Sequence, residues 1–251
     1  MLALRQKIFE LFKKMNINIM IAGVSVGLSL MYESYMPLYR RWETDRPPEV
    51  SVRITREELL EAREVYPPDS TPQYLEHMQL CYRLSGAMMP LRRAIFHGAA
   101  IGYRGRAYII TAPSGVGKTT LYLLLKLLMG DELILINGDK PMLEFAGDRI
   151  VVHPTPWNGK ESMGRRESLP LGGLVFLGRG EPHAERAEAR AVAEEAYRQF
   201  LFLADDAETA RNAAALCDEL LRSVPCYRFW SRGDDATAVC FRDAILKEGS
   251  R

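Results

Sequence analysis

The residue types with the clearest chemistry lie in one stretch, APSGVGKTT, which occupies positions 112–120. An apolar run precedes it at 107–111 and a second apolar run follows it at 121–129, an order that predicts strand, tight loop and helix. Gly115 and Gly117 allow the loop to turn backbone N–H groups toward an anion. The following helix directs the positive end of its dipole to the same place. The spacing therefore predicts a phosphate-binding loop of the Walker A type.

Two side chains of this loop can act directly on a nucleotide. Lys118 carries a mobile charge that can bridge the outer phosphates, and the Thr119 hydroxyl is placed to bind Mg²⁺. Ala112 replaces the first glycine of the usual pattern. The pattern predicts a nucleoside triphosphate site, with ATP and Mg²⁺ as cofactors, and leaves open whether GTP or pyrophosphate replaces ATP. The residues predicted to bind the nucleotide are Ser114, Gly115, Val116, Gly117, Lys118, Thr119 and Thr120.

Asp139 follows the next apolar run, 133–136, just after Asn137 and Gly138. A carboxylate there can face the γ-phosphate as a ligand on the metal side or as a base for an incoming hydroxyl, or it can cap a turn. His97 lies on the strand beside the one that enters the loop. As a lone histidine among apolar residues it could contact the phosphates or could pack in the core.

A charged loop at 157–167 offers a further set of candidates. Lys160, Arg165 and Arg166 could clamp phosphates or an acidic substrate, and Glu161 could hold Mg²⁺ through its oxygens. A solvated surface loop is the alternative.

Composition limits the class of protein. The chain has 251 residues, of which 47% are hydrophobic, enough for one large domain or two small ones. Its net charge of +1 suggests neither general nucleic-acid binding nor membrane-surface binding. The apolar segment 17–30 is shorter than the ~20 residues that span a bilayer, and from Gly23 it alternates like a strand. Four cysteines without paired metal-ligand spacing are typical of a reduced, cytoplasmic protein.

The pattern of elements predicts an α/β protein with an N-terminal α+β portion over 1–90 and a core with C-terminal helices over 91–251. Strand 94–101, a glycine turn and strand 107–111 form a hairpin that enters the phosphate loop, unlike the parallel βαβ units of Ras-like folds. The remaining predictions are a strand at 50–54, a helix capped by Thr55 and Glu58, a helix at 73–88, a hairpin at 142–153, a strand at 169–177, one or two helices over 184–222, and a strand pair at 224–230 and 236–241.

The order of these motifs resembles HPr kinase/phosphorylase over 95–176, and more closely the HPr-kinase-like proteins found beside peptide-tailoring genes, including lasso-peptide clusters. The matching features are His97-Gly98, the hairpin into the Gly-Lys-Thr loop, the strand that ends in Asp139, and the following Gly/Glu/Arg loop. The resemblance implies a P-loop kinase core similar to phosphoenolpyruvate carboxykinase, with a mixed sheet. It implies phosphoryl transfer to a serine hydroxyl, for example of a ribosomal peptide in a tailoring pathway.

Carried over by position, the resemblance implies that His97 lies beside the phosphates, Lys118 binds them, Asp139 takes the serine proton and Glu161 binds the metal with Thr119. The family's usual paired aspartates are here Asp139-Lys140. A neighbouring lysine lowers the pKa of an aspartate, which weakens the case for the reverse phosphorylase activity. The altered sequence around Glu161, Lys-Glu-Ser-Met-Gly-Arg-Arg, indicates a different substrate.

The sequence thus predicts an ATP- and Mg²⁺-dependent serine kinase whose partners are a nucleotide and a peptide or small protein. Arg165 or Arg166 would stabilise the transferring phosphoryl group. A kinase of a free small molecule such as serine is one alternative. A nucleotide-dependent switch without catalysis is another, and it could dispense with Asp139. Whether the chain forms a homo-oligomer is left open.

Overall fold

The computed structural model describes residues 15–159, 164–204 and 206–247. These residues form two compact units, one ending at Met88 and the other beginning at Met89. Of the described helices, none is long and apolar enough to cross a membrane.

The first unit contains a small sheet in the order β1-β2-β3. Strands β1 (Met15–Ile21) and β2 (Val24–Leu30) form a hairpin, and β3 (Val50–Arg53) lies parallel to β2. The hairpin turns at Ala22 and Gly23, whose φ angles of 48° and 77° match the tight turn that suits the twist of paired strands. The strand predicted from Gly23 is confirmed, and its partner β1 was not predicted.

Three described helices complete this unit: α1 (Met36–Arg40), α2 (Arg56–Val65) and α3 (Pro72–Met88). The predicted capping box is present, because Thr55 Oγ1 accepts from the backbone of Glu58 at 3.2 Å while the Glu58 side chain accepts from the backbone of Thr55. His77 on α3 is buried, with its Nδ1 atom 2.7 Å from the Tyr39 hydroxyl. Its ring packs in this unit as the apolar stripe of α3 suggested.

The second unit is built on one curled sheet with helices on both faces. Its described strands are β4 (Arg93–Ile95), β5 (Ala99–Tyr103), β6 (Arg106–Thr111), β7 (Leu133–Asn137), β8 (Met142–Ala146), β9 (Arg149–His153), β10 (Leu169–Arg179), β11 (His183–Ala187) and β12 (Cys226–Ser231). The helices are α4 (Lys118–Met129), α5 (Ala189–Tyr197), α6 (Ala207–Ser223) and α7 (Asp235–Phe241), with short helical turns at Met89–Leu91, Gly130–Glu132 and Arg242–Leu246.

The strand order is β4-β8-β9-β10-β6-β5-β7, and β12 lies between β10 and β11. Strand β10 runs parallel to β6 and β12, whereas β5 is antiparallel to both β6 and β7. The carboxyl ends of β6, β7, β10 and β12 therefore meet the amino end of β5 at one edge of the sheet. Ligands of open α/β sheets bind at such an edge.

Strand β10 belongs to both halves of this sheet. Its first residues, Leu169 and Pro170, pair with β9, and from Leu171 onward it pairs with β6. The register shifts between Leu171 and Gly173, which allows the strand to bend.

Two apolar clusters cover the two faces. Helices α5 and α6 bury Val192, Ala196 and Leu220 on one face, and α4 and α7 bury Leu121, Leu125 and Phe241 on the other. The helix α4 that follows the phosphate loop therefore lies on the opposite face from α5.

Three sequence predictions for this unit are wrong in detail. The strand at 94–101 is interrupted at 96–98, so that β4 and β5 pair with different neighbours. The segment 236–241 is helical, because Asp234 caps its first turn through the backbone of Thr237 at 3.0 Å. Residues 184–187 belong to the edge strand β11 rather than to a helix.

Candidate functional site

The loop between β6 and α4 has the backbone shape that an anion site requires. Gly115 and Gly117 have φ angles of 78° and 121°, a region that residues with a Cβ atom seldom adopt. Gly117 is also the N-cap of α4 and has no side chain to satisfy the first N–H groups of the helix. These N–H groups can therefore bind a phosphate. The side chains of Ser114, Thr119 and Thr120 are exposed in the same loop and first helical turn.

Lys118 reaches back across the loop. Its Nζ atom donates to the carbonyl oxygen of Ala112 at 2.9 Å, and the side chain is half-buried. Burial lowers the pKa of the ammonium group, the charge of Asp139 raises it, and Lys140 lowers it again. The ammonium group of Lys118 and the turns at Gly115 and Gly117 thus lie within the same short loop.

Arg179, which the sequence analysis did not single out, supports this loop from the neighbouring strand. Its Nη2 atom donates to the carbonyl oxygen of Gly115 at 2.6 Å. The residue ends β10, whose pairing with β6 brings its carboxyl end beside the loop. In the sequence, Arg179 stands at the end of an apolar strand. That position predicts a contact with the loop only when the pairing of β10 with β6 is known.

Asp139 lies at the same edge, beyond the carboxyl end of β7. Its Oδ1 atom is 3.3 Å from Nε2 of His97, and Oδ2 pairs with the ammonium group of Lys140. Its carbonyl oxygen accepts from the backbone of Gly98 at 2.9 Å, which ties the Asp139 loop to the break between β4 and β5. The backbone and the side chain of Asp139 are therefore both held in place by neighbouring residues.

The charge state of Asp139 follows from these neighbours. Burial raises the pKa of the carboxyl group. The hydrogen bond from His97 and the charge of Lys140 lower the pKa by more than burial raises it, so that it lies at about 2. The carboxylate is therefore ionised throughout the neutral range. The lowering expected from Lys140 is present, and His97 contributes to it as well.

Asn137 shapes the turn that presents Asp139. Its fully buried side chain accepts from the backbone N–H groups of Asp139 at 2.9 Å and Lys140 at 2.8 Å. Its amide nitrogen donates to Thr155, at 3.3 Å to the carbonyl oxygen and 3.2 Å to the hydroxyl. The sequence analysis treated Asn137 only as part of a turn, although an Asn side chain commonly accepts from the backbone two residues further on.

His97 occupies the break between β4 and β5. Its ring lies between two acceptors, Asp139 Oδ1 and, at 3.2 Å from Nδ1, the Oε1 atom of Gln199. Gln199 holds the segment twice, because its own carbonyl oxygen accepts from the His97 backbone at 2.8 Å. The structure thus brings His97 and Asp139 together, and Gln199 is an addition that sequence spacing did not indicate.

The charged loop is only partly described. Lys160 and Glu161 lie outside the described residues. The side chains of Arg165 and Arg166 are exposed, and the backbone N–H of Arg165 donates to Leu135 at 2.7 Å. That bond anchors the end of the loop beside β7, the strand that leads to Asp139.

The donor atoms suit a magnesium ion that is held largely by a nucleotide. Among the described residues no group of three or more His, Cys, Asp or Glu side chains could hold a metal ion. Mg²⁺ in nucleotide sites is bound through one or two protein oxygens together with phosphate oxygens and waters. The hydroxyl of Thr119 and a carboxylate fit that requirement.

Comparison with known proteins adds little. No protein-family model and no curated protein matches the chain. Among solved structures, the HPr(Ser) kinase/phosphatase from Coxiella burnetii matches 61% of this chain and 97% of its own, with 10% sequence identity and a TM-score of 0.37.

Proposed function

We propose that the chain is an ATP- and Mg²⁺-dependent kinase that transfers the γ-phosphoryl group to a serine hydroxyl of a peptide or small protein. One observation carries the proposal. An ionised carboxylate, Asp139, is fixed by His97 and Asn137 at the sheet edge where the glycine loop and Lys118 lie. A nucleotide-dependent switch needs the loop, but it does not need Asp139 as a group that orients or deprotonates an incoming hydroxyl.

In the proposed reaction the loop amides and Lys118 hold the phosphates. Thr119, together with Glu161, would hold Mg²⁺, which neutralises charge on the transferring group when it is bound. Arg165 or Arg166 would add positive charge from the far loop.

Asp139 would orient the serine hydroxyl and accept its proton. A carboxyl group with a pKa of about 2 is a weak base, but it is always ionised and ready to accept a hydrogen bond. Phosphoryl transfer passes through a loose transition state that needs little deprotonation of the incoming oxygen. Orientation is therefore the larger part of the role we assign to Asp139, with His97 holding the carboxylate in place.

Mass spectrometry tests the proposal directly. The full chain is incubated with ATP·Mg²⁺ and either serine-containing peptides or free serine, and the Lys118→Ala variant serves as the inactive control. We expect one added phosphate on a peptide serine. A phosphorylated free amino acid would replace the peptide acceptor by a small molecule, and bound ATP without any product would favour the switch.

A further inference from the structure

A cleft of about 220 Å³ opens at the sheet edge beside the phosphate loop. Thr111, Ala112 and Pro113, where β6 passes into the loop, line the cleft together with Gln199. Trp230, near the end of β12, and Arg198, on the turn after α5, line it as well. The sequence analysis did not predict this cleft.

We propose that this cleft binds the phosphate acceptor, and that the acceptor is a peptide with an acidic group and an apolar group next to its serine. The inference rests on the proposed kinase function and names the substrate class that the same site selects.

The position of the cleft favours the acceptor over the nucleoside. Gln199 forms part of its wall, and one side chain, His97, separates Gln199 from Asp139. A hydroxyl bound against Gln199 is therefore close to the proposed base. Glu195 on α5 and Arg198 on the turn after it also line the cleft, and α5 packs on the sheet face opposite to α4.

The size of the cleft supports the same assignment. Pockets that enclose a whole small molecule have volumes of about 300–1,000 Å³. A volume of about 220 Å³ is smaller and suits one or two residues of a longer chain that continues into solvent.

The charge of the cleft favours an acidic acceptor. Two arginines, Arg198 and Arg228, line it together with one glutamate, Glu195, which leaves one positive charge in excess. Arg228 pairs with Glu195 at 2.5 Å, so Arg198 supplies the excess charge. Arg198 pairs with Glu194, but both side chains are more than 70% exposed, and exposed pairs contribute little. A carboxylate of the acceptor can therefore compete for Arg198.

The apolar lining of the cleft includes Pro113, Phe176, Leu177 and Trp230. The ring of Trp230 is held in place by His183, on which it stacks with centroids 4.1 Å apart and planes 3° apart. A ring fixed in this way offers an apolar surface at little entropic cost to binding.

The test uses three labelled peptides that differ only in the residues flanking a serine, which are Glu, Gln or Lys. Fluorescence anisotropy gives their affinity for the full chain, and ATP affinity is measured separately. We expect the Glu peptide to bind about tenfold more tightly than the Lys peptide, a ratio equal to 1.4 kcal/mol. Arg198→Glu should abolish or invert this order without changing ATP affinity.

Arg190→Glu is the matched control, because Arg190 is an exposed arginine on α5 that does not line the cleft. It should leave the peptide order unchanged. Equal binding of the three peptides, or the same loss with Arg190→Glu, would overturn the assignment. Weaker ATP binding in Arg198→Glu would assign the cleft to the nucleoside instead.

The outcomes separate this inference from the proposed function. Charge-ordered binding that depends on Arg198, without phosphoryl transfer, would leave the cleft as a peptide site and refute the kinase. Transfer to all three peptides at equal rates and with equal affinity would keep the kinase and refute the acidic acceptor.

Discussion

The Nε2 atom of His97 lies 3.3 Å from Oδ1 of Asp139, although the two residues are on different strand ends. The contact exists because β5 runs antiparallel to β7, so that the start of one strand meets the end of the other. It orients one oxygen of Asp139 while Lys140 holds the second. The predictions that follow depend on this arrangement and on the loop beside it.

Removal of the loop ammonium should abolish nucleotide use. We expect Lys118→Ala to weaken ATP binding at least about tenfold and to reduce transfer about a thousandfold, because the charge on the outer phosphates loses its partner. Calorimetric titration with ATP·Mg²⁺ and a phosphopeptide assay measure the two effects. Lys126→Ala, on the same helix but bonded to Gly130 and Leu133, should retain both activities.

Loss of the carboxylate should separate binding from transfer. We expect Asp139→Asn to bind ATP within about threefold of the unchanged chain and to lose transfer by about two to four orders of magnitude, as for other acid–base groups. Single-turnover kinetics with saturating ATP measures the transfer step. Near-normal rates in this variant would show that Asp139 is not the base.

Asp139 should also set part of the acid stability. Its folded pKa, about 2, lies below the ordinary value of 3.8, so its stabilising contribution is present above pH 4 and is lost as the pH falls toward 2. The contribution at neutral pH is on the order of 2 kcal/mol. Lys140→Gln should raise the pKa of Asp139 and so reduce that loss. Urea titrations between pH 2 and pH 6 would show it as a flatter acid limb, and an unchanged limb would contradict the assignment.

The buried amide of Asn137 should matter for both folding and activity. Asn137→Ala leaves the backbone N–H groups of Asp139 and Lys140 without their acceptor, and we expect a loss of about 2–3 kcal/mol in unfolding free energy. Transfer should fall with it under conditions where the variant remains folded. Asn18→Ala, which removes one exposed hydrogen bond, is the control and should change stability by less than about 1 kcal/mol. A fully active Asn137→Ala protein would show that the turn does not position the carboxylate.

Gly138 permits a close approach that any side chain would prevent. A Cβ atom there would lie 2.8 Å from the carbonyl oxygen of Asn158, so Gly138→Ala must displace the Asp139 turn or the facing loop. We expect a loss of about 1–3 kcal/mol in stability and a lower transfer rate. Gly105→Ala strains a hairpin turn at φ +75° without a contact, and should reduce stability but leave transfer per folded molecule unchanged. Thermal unfolding and kcat measurements distinguish the two variants.

Much of the fold follows from local sequence patterns. The hairpin that enters the predicted phosphate loop, the hairpin at Gly147 and the strand before Asn137 are all apolar segments bounded by turn residues, and they are confirmed. The predictions that are wrong lie where two local sequence patterns favour different structures. The segment 236–241 was predicted as the partner strand of 224–230 across a turn at Gly233 and Asp234, but the cap formed by Asp234 starts a helix there.

The site could be predicted only where its residues are close in sequence. Gly115, Gly117 and Lys118 belong to one motif, and their geometry agrees with the pattern. Arg179 reaches the site because β10 pairs with β6, and Gln199 reaches it from the turn after α5. Sequence periodicity predicts neither contact. The sequence analysis named His97 as a candidate, but the interruption at 96–98, where it lies beside Asp139, depends on the different partners of β4 and β5.

The parallel pairing of β10 with β6 and β12 has a consequence for how the protein acquires activity. Leu174 pairs with Ile109 and with Cys226, positions far apart in the chain. Such non-local pairings form late and slowly, since the intervening chain must be ordered first. Helices α4 and α6 can form early, but Arg179 cannot support the loop until β10 has joined β6. Recovery of ATP binding during refolding should therefore follow the recovery of helical signal, and a nascent chain that lacks β12 should be unable to act.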